Sequence, residues 1–214
     1  MIDEQTEKTK PRSSFWKELP ILLGVAVLVA FLVRAFVMQT FWIPSQSMEH
    51  TLNIHDHVLV NKLVYDFRSP RRGEILVFEA PERWSTSEGE DFIKRVLGVG
   101  GDHITCCDAQ GRIMVNGKPL DEPYVYTDAS GIQDKPADQD FDVTIPAGRL
   151  WVMGDHRSAS ADSLQHWKGS KDIQESTISE NAVVGRAFTL FWPFSRARWL
   201  PVPGTFDAVP DGPR

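Results

Sequence analysis

Cysteine is nearly absent: 214 residues contain two, Cys106 and Cys107, side by side. That excludes a zinc site made of cysteine alone and any framework of several disulfides. Neighbours on a strand point to opposite faces, which favours two thiols, with a strained vicinal disulfide outside the cytoplasm as the alternative. A basic excess is lacking too. With 23 Lys and Arg against 29 Asp and Glu the formal net charge is -6, and there is no clustered cationic footprint for nucleic acid. The chain has no internal repeat, no glycine-rich nucleotide loop and no alternation of strands with long helices, which excludes repeat and doubly wound architectures. Long apolar runs are scarce as well, and only Leu19 to Val33 approaches membrane length.

That run alone falls short of the ~20 residues that cross a bilayer. Its flanks supply more: Trp16 and Lys17 on one side, Arg34 and Phe36 on the other, for a helix of about 30 Å. The expectation is one N-terminal transmembrane helix over residues 15–36. A cleaved signal peptide is disfavoured because Arg34-Ala35-Phe36-Val37-Met38 offers no small-x-small site, and a buried soluble helix because the run has no polar stripe. Lys8, Lys10, Arg12 and Lys17 precede it and favour a cytoplasmic amino terminus, so the expected placement is single-pass in the cytoplasmic membrane with the domain outside the cytoplasm. Residues 1–14 read as a disordered cytoplasmic tail.

Beyond the run the pattern is mainly β. His57-Val58-Leu59-Val60-Asn61 and Glu74-Ile75-Leu76-Val77-Phe78, joined by the turn-rich stretch Phe67 to Gly73, are expected to pair. Asp91 to Val99 alternates, placing Phe92, Lys94 and Val96 on one face and Arg95 on the other. Short strands and turns at about 102–145 form a hairpin-rich insert, mostly loop from Asp121 to Phe141. Strand character returns at Thr144 to Met153 and again at Asn181 to Trp192. The fold class is therefore an antiparallel β-sheet catalytic domain over 37–200, followed by a Pro- and Gly-containing tail over 201–214.

Two residues carry the chemistry. Ser47 lies in Phe41 to Leu52, and a serine hydroxyl needs a base to react near neutral pH. Taken alone, Lys94 reads most simply as a surface lysine at a sheet edge; on an inward face between Phe92 and Val96, burial would lower its pKa from about 10.4, and neutrality near pH 7 to 8 needs about 3 units, or ~4 kcal/mol. A neutral Lys94 can accept the Ser47 proton. The small polar loop Gly154 to Ser163 follows a buried strand, a placement that suits site residues. A rival triad of Ser47, His156 and Asp155 or Asp162 is weakened because Asp155 and His156 are adjacent and point apart on extended backbone.

Pro44-Ser45-Gln46-Ser47-Met48, Arg72-Gly73-Glu74-Ile75, Lys94-Arg95-Val96 with Gly100-Gly101-Asp102, and Gly154-Asp155-His156-Arg157 through Ser160-Ala161-Asp162-Ser163 resemble, in order, the boxes of type I signal peptidase, the leader peptidase. The resemblance implies a Ser–Lys dyad serine endopeptidase with Ser47 as nucleophile and Lys94 as general base. Ser45 matches the oxyanion donor, acting with the Ser47 N–H. Ser160 matches the serine that orients the lysine, Asp155 and Asp162 match structural acids, and Phe41, Ile43, Phe92 and Ile93 fall where the family lines its pockets. The implied reaction removes signal peptides after Ala-x-Ala sites, without metal or cofactor. The implied partners are exported preproteins, membrane lipid and nearby export machinery, with no nucleic acid. His50, His55 and Leu164 stand where the family usually has proline, glycine and arginine, so Asp162 needs another partner, Arg157 or Lys168. The alternative is a non-catalytic, membrane-tethered β-domain that binds peptides or envelope components.

Overall fold

The computed structural model describes residues 15–85, 87 and 89–212. The expected tail at 1–14, with Lys8, Lys10 and Arg12, lies outside the described residues, as do Thr86, Glu88 and the last two residues. The chain divides into two units, one ending at Val37 and one starting at Met38.

In the first unit α1 (Phe15–Leu32) has 18 residues and gives way to a π-helical turn at Val33–Val37. The expected transmembrane helix is not met: among the described residues no helix is long and apolar enough to cross a membrane. Arg34 and Phe36, needed to extend the apolar run, belong to the π turn, and 18 residues at 1.5 Å each reach ~27 Å against a hydrocarbon core of ~30 Å. The expected single-pass placement in the cytoplasmic membrane falls with it.

The second unit is mainly β. Its larger sheet contains β1 (Met38–Trp42), β2 (His57–Asn61), β3 (Ile75–Glu79), β4 (Asp91–Val99), β9 (Arg149–Met153), β10 (Ile178–Ser179), β11 (Val183–Trp192) and β12 (Arg198–Trp199). Strand order is β1-β2-β11-β3-β4-β9-β10, antiparallel throughout, with β12 beside β11. The expected pairing of β2 with β3 is therefore corrected: β11 lies between them. The link from β2 to β3 is long enough to step over a strand, because it contains a helical turn at Val64–Phe67 and a corner in which Glu74 accepts from Arg71 N–H at 2.9 Å.

A smaller sheet, β7-β6-β5-β8, is built from β5 (His103–Cys106), β6 (Met114–Val115), β7 (Lys118–Pro119) and β8 (Phe141–Thr144). Cys107 lies past the end of β5, where strand alternation no longer separates neighbours, and it forms a vicinal disulfide with Cys106. The reading of two thiols is corrected accordingly.

Strand β3 is buried at Ile75, Leu76, Val77 and Phe78, so both its faces carry core. On one face Ile75 and Val77 join Ile43, Met48, Leu52 and Ile93; on the other Leu76 and Phe78 join Val96, Leu150 and Val152. A third cluster packs Leu97, Trp151 and Met153 against Ile104, Val115 and Phe141 of the smaller sheet. Phe206 and Val209, in the stretch read as a tail, are buried in that cluster.

Candidate active site

The chain leaves β1, makes the turn that carries Ser47, and returns along β2. Ile43, Met48 and Leu52 are at most 1% exposed and pin the turn to the sheet. Its ends are tied by Ile43 N–H to Asp56 O and His55 N–H to Ile43 O, each at 2.9 Å. His50 and His55 take φ of +78° and +72°, a region that excludes proline and that histidine enters more readily than most residues. His55 stacks on Trp42 with ring centroids 5.7 Å apart, which offsets part of that strain.

Lys94 projects from β4 and is 4% exposed, and its Nζ lies 2.8 Å from Ser47 Oγ. Its other hydrogen bond runs to Ile93 O at 3.1 Å. Nζ donates to both oxygens, and only after losing a proton does it have a lone pair to accept the serine hydrogen. Burial pushes the Lys94 pKa down to about 8, while the negative charges of Asp162 and Asp155 pull the other way. Ser45 Oγ lies 3.4 Å from Ser47 Oγ, on the exposed side of the turn.

The loop after β9 supports this pair from below. Arg95, next to Lys94, makes a two-toothed contact with Asp155 at 2.8 and 2.6 Å, with both side chains at most 3% exposed. Thr51 Oγ1 donates to the same carboxylate. Asp162 accepts from Gly154 N–H at 3.0 Å and caps α3 (Ser163–Ser170), the eight-residue helix it precedes, through Leu164 N–H and Gln165 N–H. Neither expected partner reaches it: Arg157 pairs with buried Glu122 and Lys168 with Asp138. Backbone amides take the role that an arginine at position 164 was expected to fill. Ser160 Oγ is buried without a hydrogen-bond partner, so no bond links it to Lys94.

The sequence profile described as "Signal peptidase, peptidase S26" matches residues 16–192. The chain belongs to this signal peptidase family. It is 36% identical over 216 residues to "Probable signal peptidase I-2" of a Synechocystis species, covering 100% of this chain and 91% of that one. It is 35% identical over 211 residues to "Signal peptidase I" of Leptolyngbya laminosa, covering 94% and 95%. With "Signal peptidase I" of Mycobacterium tuberculosis the identity is 32% over 232 residues, covering 90% and 78%. Membership makes the chain a hydrolase of the serine endopeptidase class.

Of the pocket residues expected for a signal peptidase, Phe41, Ile43 and Ile93 meet in one cluster, with Ile43 and Ile93 at 1% and 8% exposure. Phe92 packs with the cluster on the other face, and its ring lies 5.3 Å from Lys94 Nζ. No role was assigned from the sequence to Thr51, Glu122, Arg95 or Gly154, although the last two lie in the family boxes. Gly154 had a signal in its place at the head of a polar loop behind a buried strand. A Cβ there would lie 2.4 Å from both Ser47 O and Ser160 Oγ. Gly154→Ala should therefore displace the serine and lower kcat on the order of 10²-fold, the usual cost of a misplaced reacting group. Steady-state kinetics on the folded variant check this, and a kcat within twofold of the parent would refute the close-packing argument.

Proposed function

We propose that Ser47 and Lys94 form the catalytic dyad with which this chain performs the family reaction, removal of signal peptides from exported preproteins. The 2.8 Å approach of a buried, easily neutralised lysine to the serine hydroxyl carries the proposal. Lys94 takes the Ser47 proton as Oγ attacks the scissile carbonyl. Ser45 Oγ–H and the Ser47 N–H hold the oxyanion, and Lys94 then passes its proton to the departing amine. Water, deprotonated in turn by Lys94, releases the signal peptide from the acyl-enzyme. Asp155 and Asp162 brace the loop behind the dyad, and Ser160 lies within the same packing as Ser47 through Gly154.

Phe41, Ile43 and Ile93, with Phe92 across the strand, form the wall against which an extended substrate is laid. The side chains laid against it are small, as in an Ala-x-Ala site. The catalytic domain takes in residues 37–200, with 102–145 as its insert, and the segment that follows packs into its core through Phe206 and Val209. The finer partners are the lipid around the apolar segment of the substrate and the export machinery that delivers it.

The pH profile tests the dyad. Only the neutral form of Lys94 accepts a proton, so kcat/KM should rise about tenfold per unit below pH 8 and level off above it. Initial rates on a preprotein with an Ala-x-Ala site, taken between pH 6 and 10, would show this. A profile flat across that range would exclude Lys94 as the base.

A further inference from the structure

We infer that His156 is a positioning residue: it clamps the turn that carries Ser47 and so keeps the hydroxyl in reach of Lys94. The inference rests on the Ser47–Lys94 reading above. His156 N–H donates to Ser47 O at 3.1 Å, which grips the carbonyl of the nucleophile itself. The ring grips the residues on either side, with Nδ1 at 3.2 Å from Gln46 O and 3.1 Å from Glu49 Oε2. A backbone carbonyl only accepts, so Nδ1 carries the hydrogen and shares it between the two oxygens. One residue, 9% exposed, thereby ties down positions 46, 47 and 49.

The ring is itself held in orientation. It stacks on Tyr126 with centroids 3.8 Å apart and planes 17° apart, and Tyr126 N–H donates to Asp155 O at 2.9 Å. The insert thus fastens the clamp from behind, helped by His50 Nδ1 against Val125 O at 3.1 Å. Nothing in this geometry makes His156 a base, since its ring bonds run to Gln46 and Glu49 while Ser47 Oγ faces Lys94 and Ser45. Its part in the reaction is indirect: a reacting oxygen displaced by about 1 Å can cost on the order of 10²-fold in rate.

The test is kcat and KM of the full chain on an Ala-x-Ala preprotein, with rates corrected for the fraction of folded protein. His156→Ala should lower kcat between about 10- and 100-fold with KM changed by less than about threefold. His156→Asn, whose amide N–H meets the same two acceptors, should recover kcat to within about threefold of the parent, whereas His156→Leu should not. A packing role alone would treat Asn and Leu alike. Glu49→Ala removes one acceptor from a partly buried position and should cost about threefold in kcat, which decides the matter even if His156→Ala does not fold. Unchanged kcat in the folded alanine variants, or an asparagine variant as slow as leucine, overturns the inference. Ser47→Ala separates the two readings. Activity in Ser47→Ala sinks the dyad itself, while an inactive Ser47→Ala beside a fully active His156→Ala sinks only the clamp.

Discussion

Lys94→Ala should lose at least ~10³-fold in kcat/KM on a preprotein while remaining folded, and Ser47→Ala should fall to the same floor. The two losses should not add. A dyad acts as a unit, so the double variant is expected to be no slower than either single one. Lys94→Arg should be equally inactive, because a guanidinium stays charged at every accessible pH and has no lone pair to offer the Ser47 proton. Lys94→Met fills the same space without an amine and makes a second folded control. The decisive observation would be a Lys94→Ala enzyme retaining more than a tenth of its activity while His156→Ala retains none. That result would move the base from lysine to histidine.

Asp155→Ala should produce the largest loss of stability. The carboxylate is fully buried, holds both Nε and Nη2 of Arg95, and accepts from Thr51. Its removal strands a guanidinium that is 3% exposed, and an uncompensated buried charge of this kind costs about 3–5 kcal/mol. For a chain of this size that corresponds to a fall in Tm of roughly 6–20 °C. Replacing both partners, as in Arg95→Leu with Asp155→Leu, should recover much of the loss, since no charge is left unpaired. Thermal unfolding of the three variants checks this, and a double variant no more stable than Asp155→Ala would point to packing rather than charge. Asp155 also raises the pKa of Lys94, so any activity left in Asp155→Ala should extend to lower pH than in the parent.

The burial of Lys94 was only half legible in the residues. Phe92 and Val96 flank it at strand spacing, which allows a lysine deprived of water, but taken alone a lysine there reads more simply as exposed at a sheet edge, and the likeness of the surrounding boxes to a known family singled it out. The supports of the site were not legible, because they are made by groups with no signature in a sequence. Asp162 is satisfied by three backbone N–H groups, which look the same at every position, whereas the side chains Arg157 and Lys168 invited a pairing that the fold does not make. Arg95 could be placed opposite Lys94 by alternation, yet nothing along the chain said that Asp155 would lie there to receive it. The expected membrane helix failed for a similar reason. No glycine or proline marks Val33–Val37, and the change from α to π geometry that ends α1 short is silent in composition. The pairing of β2 with β3 was the nearest choice in sequence, and only the arrival of β11, from about a hundred residues further on, displaced it.

That arrival has a bearing on how the enzyme comes into being. Ser47 sits on the turn between β1 and β2, Lys94 on the β3–β4 hairpin, and the strand hydrogen-bonded to both halves is β11, the last long strand made. A chain that has emerged from the ribosome as far as the loop before Val183 already contains Ser47, Lys94 and the loop that packs behind them. It has no strand to bring the two hairpins to one register. Contacts this distant in sequence close late, because loop entropy must be overcome before they are rewarded. The register that sets Ser47 against Lys94 therefore depends on a strand that comes after both of them in the chain.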